Sequence, residues 1–362
     1  VIRAATVTDV RRAPLLALSV AVVACAAPSR ELPAPSAPPP DTVVAASPRV
    51  VEFRGMCDAS GAVPLDDRLL LIADDEDNVL RAYDAEAGGA PLWSRDVSAS
   101  LGLPEKRSKK TGALKPPPET DIEAATRLGD LALWLTSHGR NRKGKHRPER
   151  LRLFATTTPA DGGALEVVGT GTAHLLDALI GDPRYAAFDL AAAAERAPKA
   201  EGGLNLEGMT ARLDGAGVWI GFRSPTPGGL ALIAALDNPA QVVRGAAPAL
   251  GDPVRLDLGG RGVRALSAWR GTYLIVAGDH DGGGPSALYV WDGGATATEL
   301  PGIIPDGLNP EAFFTPEGRD ELLLLSDDGT VLVDGVACKE LDDPDRKAFR
   351  GAWVRIEPPR PR

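Results

Sequence analysis

The chain has 362 residues, 44% of them hydrophobic and 25% charged, and a formal net charge of −9 at pH 7. That apolar content supports a substantial core in one large domain or two ordinary ones, and the acidic balance argues against nucleic acid as a partner. Aromatic residues are few, while 40 glycines and 32 prolines suit a turn-rich β protein.

In chain order, residues 1–24 read as an export signal. Arg11 and Arg12 form a basic start, and the apolar run at 13–24 is too short to span a membrane comfortably and ends in small residues. Val22-Val23-Ala24-Cys25 resembles the cleavage box of bacterial lipoproteins. The resemblance implies cleavage before Cys25 and lipidation of that residue. Because Ala26 rather than Asp follows, it also implies outer-membrane sorting, on the periplasmic face or the cell surface. An ordinary secretory signal cut slightly later is the alternative. Residues 25–49 include Pro33, Pro35, Pro38, Pro39, Pro40 and Pro48 and read as a semi-extended tether, so the lipid is the expected membrane contact. A folded domain is assigned to 50–357 and a tail to 358–362.

Within that domain one pattern recurs. Asp121-Ile122-Glu123-Ala124 is followed by the apolar run 131–135 and polar Ser137-His138-Gly139-Arg140. Asn205-Leu206-Glu207-Gly208 precedes Val218-Trp219-Ile220 and Arg223-Ser224, and Asn309-Pro310-Glu311-Ala312 precedes Leu322-Leu323-Leu324-Leu325 and Ser326-Asp327-Asp328. Two degenerate copies start at Asp58-Ala59-Ser60-Gly61 and Arg264-Ala265-Leu266, and their polar turns are Asp74-Asp75 and Asp279-His280-Asp281. After each polar turn a further short strand ends in another turn. A three-stranded meander buries one face and needs neighbours, and radial repetition supplies them. The expectation is an all-β, five-bladed β-propeller, or six-bladed if two units have been merged, with a β-sandwich as the alternative. The strands at 50–53 and 352–356 lie at the two ends of the domain, and either would complete the last sheet.

Three segments interrupt the repeat. Residues 101–120 form a long loop carrying Lys106, Arg107, Lys109, Lys110 and Lys115, and residues 140–152 read as a basic hairpin. Residues 172–200 are the one short helical insertion, with Leu175, Leu176, Leu179 and Ile180 at helical spacing on one face. Once Cys25 is lipidated, Cys57 near the first unit and Cys338 in the last remain. A ring brings those units together, so a closing disulfide is expected, worth about 4–5 kcal/mol in the chain-entropy model. Two separately buried thiols are the alternative.

Three constellations carry chemistry. Glu123, Glu207 and Glu311 hold the same place on predicted innermost strands, where converging carboxylates suit a hard cation such as Ca2+, or alternatively pin blades together through arginines. The polar residues after each second strand lie on one rim, where His138 would serve as acid or base and Arg140 and Arg223 would grip a carboxylate or phosphate. Arg142, Lys143 and Lys145 form an anion-binding patch, or simply a solvated loop. No phosphate loop, HExxH, paired CxxC or GxSxG is present.

The stretches DIEAATRLGD…LTSHGRNRKGKHRPERLRLFAT and APKAEGGLNLEGM…WIGFRSP resemble a bacterial family known as domain of unknown function 3616. That resemblance covers roughly residues 50–357 and brings no established activity. Around Glu207, LNLEGM resembles the esterase-like phytases more weakly, which implies a metal-dependent phosphoester hydrolase with acidic ligands; Ser60 and Ala265 depart from that pattern in two units. The expectation is therefore an exported, lipid-anchored propeller binding an anionic small molecule or glycan at its rim. A phytase-like hydrolase is the enzymatic alternative, and an envelope scaffold binding a protein is the non-catalytic one.

Overall fold

The apolar runs of the repeats are a few residues long and end at turn formers, so each unit folds as an antiparallel meander. At the end of the first one, for example, Asp84 Oδ1 accepts from the backbone N–H groups of Glu86 and Ala87 at 2.9 and 3.1 Å. The structure, a computed structural model, describes residues 48–356 except 160–162 and 173. The export signal, Cys25, the tether up to residue 47 and the tail lie outside the described residues.

A first strand, β1 (Arg49–Arg54), precedes the first blade. That blade is β2 (Gly61–Pro64), β3 (Leu69–Ala73), β4 (Val79–Asp84) and β5 (Trp93–Asp96). The second is β6 (Ile122–Leu128), β7 (Leu131–Thr136), β8 (Leu153–Thr157) and β9 (Val167–Thr172). The third is β10 (Asn205–Ala211), β11 (Val218–Ser224), β12 (Ala231–Leu236) and β13 (Val254–Leu256), and the fourth is β14 (Gly262–Trp269), β15 (Thr272–Gly278), β16 (Ala287–Trp291) and β17 (Ala297–Glu299). The fifth begins with β18 (Pro310–Phe314) and β19 (Glu321–Ser326), leaves for a small hairpin of β20 (Leu332–Val333) and β21 (Val336–Ala337), and returns as β22 (Ala348–Arg355). Its outer edge is β1, which pairs antiparallel with β22 from Arg49↔Trp353 to Arg54↔Ala348. Both chain-end strands thus enter one sheet, side by side.

The first strand of each blade packs against the next around a ring, β2 on β6, β6 on β10, β10 on β14, β14 on β18, and β18 back on β2. This is the expected five-bladed β-propeller. Five apolar clusters fill the five gaps between blades, and the one between the second and third also takes Leu175, Leu176, Leu179 and Tyr185 of the helical insertion.

Three sequence expectations need correction. Each blade has four strands rather than three. The missed outer strands are short and half in water, as in Trp93–Asp96, whose last three residues are exposed, so they carry little hydrophobic alternation. Ile180 is not on the buried stripe: helix α1 spans only Leu175–Gly181, and Ile180 is 39% exposed near its end. The basic segment after β7 is not a hairpin. It is irregular, with one 3-10 turn at Pro148–Arg150, and Arg150 there turns inward.

Cys57 and Cys338 form a disulfide with a Cα–Cα distance of 5.9 Å. It joins the lead-in to the first blade to the excursion in the fifth, next to the backbone bond from Asp328 N–H to the Cys57 carbonyl at 2.9 Å. Replacing both cysteines by serine is expected to lower stability by about 4 kcal/mol. Urea unfolding of the double variant checks this; an unchanged midpoint would show that β1 alone secures the ring.

Candidate functional site

In four blades the innermost strand breaks register at one residue. The register with the second strand skips from Ile122 to Ala124, Leu206 to Gly208, Val263 to Ala265 and Pro310 to Ala312. Each skip is a β-bulge, which leaves one residue outside the ladder and re-aims its side chain. The bulged residues are Glu123, Glu207, Arg264 and Glu311, and Ser60 precedes β2 at the matching place in the first blade. Arg264 is the residue that sequence comparison missed. Aligning on Ala265 suggested a lost glutamate, whereas the blade carries the opposite charge at that position. The usable signal was the small residue after each bulge: Gly61, Ala124, Gly208, Ala265 and Ala312. Those positions face the neighbouring inner strand, and a Cβ on Gly61 would stand 3.1 Å from the Ala124 backbone.

At the end of the central axis where these bulged residues lie, called the channel mouth below, Arg223 from β11 and Arg264 from β14 bind two of the glutamates. Arg223 Nη1 lies 2.7 Å from Glu207 Oε1 and 3.9 Å from Glu311 Oε1, while its Nε donates to the Asp279 carbonyl at 3.0 Å. Arg264 pairs with Glu311 through Nη2, donates to Asn309 Oδ1 through Nη1, and brings Nε to 4.0 Å from Glu207 Oε2. Asn205 Nδ2 donates to Glu207 Oε1 at 2.5 Å. Gly262 permits this crossing, since a Cβ there would overlap the Arg223 carbonyl oxygen. All four charged groups are buried. Burial, followed by repulsion from Arg223, pulls the Arg264 guanidinium below its ordinary value.

The remaining arc, formed by the fifth, first and second blades, is acidic. Carboxylate oxygens of Asp58, Glu311 and Asp327 lie within 4.8 Å of one another, as do those of Asp75, Asp121 and Glu123. The Glu123 carboxylate accepts no hydrogen bond and makes no ion pair among the described residues. Burial, then Glu207 and Asp121, push its carboxyl well above the ordinary range. Burial and Asp74 do the same to Asp75. Asp121 is pushed up to about 6 by burial, against the pull of Arg150, whose Nη1 is 2.6 Å from Asp121 Oδ2 and whose Nη2 is 2.6 Å from Glu119. A cavity of about 30 Å³ continues down the axis between Ser60, Ala124, Glu207, Ser267 and Glu311, with room for roughly one water or ion.

The three glutamates expected as one ligand set are thus divided. Glu207 and Glu311 share Arg223 and Arg264, and Glu123 stands with Asp75 and Asp121. Of the rim residues, Asp75 and Asp327 join the acidic groups, and of the three expected to carry chemistry, His138, Arg140 and Arg223, only Arg223 joins the glutamates. His138 is buried with a left-handed φ of 55°, and its Nδ1 is 2.7 Å from the Thr136 carbonyl, which places the proton on Nδ1 and leaves Nε2 without a partner. Burial lowers its pKa to about 4, so the ring is neutral near pH 7. Arg140 ties down the helical insertion through the Ala194 carbonyl at 2.9 Å and through Glu195. Asp328 is held by Arg350, whose Nε donates to it at 2.8 Å. Arg142, Lys143 and Lys145 are exposed.

No family model matches the chain, and no curated protein is similar to it. Solved structures similar to it include glutaminyl cyclase of Myxococcus xanthus, at 9% identity and a TM-score of 0.41, covering 85% of this chain and 96% of that one. Another is the PQQ-bound aldose sugar dehydrogenase of Streptomyces coelicolor, at 11% identity and 0.41, covering 85% and 99%. A third is the Swd1 β-propeller domain of Myceliophthora thermophila, at 9% and 0.34, covering 86% and 100%. Similarity at this level carries over no activity.

Two outcomes test the electrostatics. Arg223→Met strands a buried Glu207 and is expected to cost about 3–5 kcal/mol in chemical unfolding, part of which Arg223→Met/Glu207→Gln restores. His138 stabilises the fold only while neutral. Its contribution is complete above its ordinary value of 6.5 and is lost as pH falls through about 4. The stability difference between wild type and His138→Gln should therefore move by about 2–3 kcal/mol against wild type between pH 7 and pH 4.5. A constant difference would mean that the ring takes up its proton without cost.

Proposed function

We propose that this is an exported, lipid-anchored propeller, related to domain of unknown function 3616, that binds an anionic small molecule or glycan at its rim. The observation that carries this reading is uncompensated charge. The 101–120 and 137–152 segments are rooted together, because Ser137 N–H donates to the Asp121 carbonyl at 2.9 Å and Arg150 reaches Glu119. They carry Lys106, Arg107, Lys109, Lys110 and Lys115 on one and Arg142, Lys143 and Lys145 on the other. None of these eight makes an ion pair among the described residues, in a protein of net charge −9. A clustered positive field on an acidic protein steers and holds anions. Export is supported by the leader and by the disulfide, which persists in oxidising compartments. The lipid at Cys25 and an outer-membrane or surface location rest on the leader alone.

A second reading, metal-assisted phosphoester hydrolysis at the mouth, is favoured by the unpaired Glu123 beside Asp75 and Asp121. Against it, Glu207, the residue at the centre of the phytase-like motif, already neutralises Arg223 and the cavity is small, which suits a scaffold whose ion pairs pin the third, fourth and fifth blades together.

Changing Arg142, Lys143 and Lys145 together to glutamate is expected to weaken binding of polyphosphate or heparin about tenfold or more at low salt and to flatten its salt dependence, with the melting temperature unchanged. Equal affinity in calorimetry for the triple variant and wild type would refute the basic-face reading.

A further inference from the structure

We propose that the seam where the ring closes holds a hard divalent cation, bound by Asp58 from the first blade and by Glu311 and Asp327 from the fifth. This site is independent of the basic face and shares only Glu311 with the three-glutamate set expected from sequence.

Three observations support it. The first is geometric. One oxygen from each carboxylate lies within 4.8 Å of the other two. Ligands of one calcium ion at 2.3–2.6 Å stand no more than about 5 Å apart, so the three are close enough to share a single coordination sphere.

The second is an orphaned atom. Asp58 is only 7% exposed, and its Oδ1 is buried with no hydrogen-bond partner. That oxygen belongs to a side chain aimed at Glu311 and Asp327, and no arginine or lysine pairs with it among the described residues. A buried carboxylate oxygen with neither donor nor cation is costly, and a bound ion supplies what is missing.

The third is charge balance within a fixed frame. Asp327 also has no ion-pair partner among the described residues; its carboxylate accepts from Gly329 N–H at 2.8 Å and from Asn309 Nδ2 at 3.3 Å. Arg264 pairs with Glu311, so three carboxylates and one guanidinium leave two negative charges, matching a divalent ion. The two ligand-bearing segments cannot drift apart. Asp58 and Asp327 form a backbone bridge, Ala59 N–H donates to the Ser326 carbonyl at 3.4 Å, and Cys57 is disulfide-bonded to Cys338. An all-oxygen ligand set without histidine or thiolate selects Ca2+, Mg2+ or Mn2+ over zinc, with water filling the remaining positions.

The test is calorimetric titration of the metal-stripped full-length protein with Ca2+ and Mn2+, alongside thermal unfolding in EDTA and in excess metal. Wild type is expected to bind one ion and to melt higher with it. Asp58→Asn and Asp327→Asn should each weaken binding about tenfold or more. Both should melt in EDTA at or above wild type, because each removes like-charge repulsion, so a lost site is not mistaken for a lost fold. Glu123→Gln should bind as wild type does. The inference is overturned if wild type binds no ion up to about 10 mM, tenfold beyond the weakest extracellular calcium sites. It is also overturned if Asp58→Asn and Asp327→Asn bind normally, or if only Glu123→Gln abolishes binding, which would place the ion on the second acidic group instead. None of these outcomes alters polyphosphate binding at Arg142, Lys143 and Lys145, which tests the basic face separately.

Discussion

The closure of the ring is the constraint on which the other features depend. Each blade buries its two faces against its neighbours, and the five apolar clusters lie between blades rather than within them. An open ring would expose two such faces to water, at about 25 cal/mol for every Å² of apolar surface. The molecule closes the ring by laying β1 from the start of the domain against β22 from its end, inside one sheet. The Cys57–Cys338 bond repeats that closure on the channel-mouth side. Joining the two ends within a blade leaves the weakest point of the ring held by backbone hydrogen bonds, shared core and a covalent link.

Closure also forces charge together. Five innermost strands converge on one axis, and four carry a bulged, charged residue at the same height. In water these groups would be solvated separately; on the axis they have mainly one another. The third and fourth blades resolve this with two arginines, Arg223 and Arg264, set against Glu207 and Glu311. A buried pair of this kind offers little net stability over an apolar replacement, but it is costly to break singly, so its effect is to fix the relative position of the blades that supply it. The fifth, first and second blades have no such solution for Asp58, Asp75 and Glu123, whose carboxyls are pushed well above their ordinary range instead. Strain collects there too: Asp121 and His138 both hold left-handed backbone conformations, with φ of 61° and 55°. Unpaired carboxylates and non-glycine residues in a glycine conformation, side by side, mark this arc as the part of the mouth least accounted for by folding alone.

The repeat was legible because a propeller writes its period into the chain. Apolar runs such as 69–72, 131–135 and 322–325 are buried on both faces between sheets, and the acidic or amide residue two places before each glutamate is where the chain turns into the next blade. The outer strands were not legible, because one edge and one face in water leave them little apolar pattern. Ile180 was misassigned because helical periodicity does not reveal where a helix stops, and α1 ends one residue later. Arg264 was missed because the repeats were aligned by the identity of the glutamate, whereas the fold specifies a bulge followed by a small residue and leaves the charge of the bulged residue free.

By itself, the sequence determined a radial array of five or six blades, a last sheet completed by a strand from an end of the domain, and two cysteines placed at the closure, since those depend on hydrophobic period and chain order. The tertiary structure alone decided which charges meet. Glu123, Glu207 and Glu311 are equivalent in sequence, yet one stands among acids and two against arginines. Arg150 and Asp58 became partners of groups far from them in the chain, or lacked one where burial demands it. Hydrophobic pattern is local and periodic and can be read along a line; electrostatic pairing depends on distances across the axis, which exist only after the ring has closed.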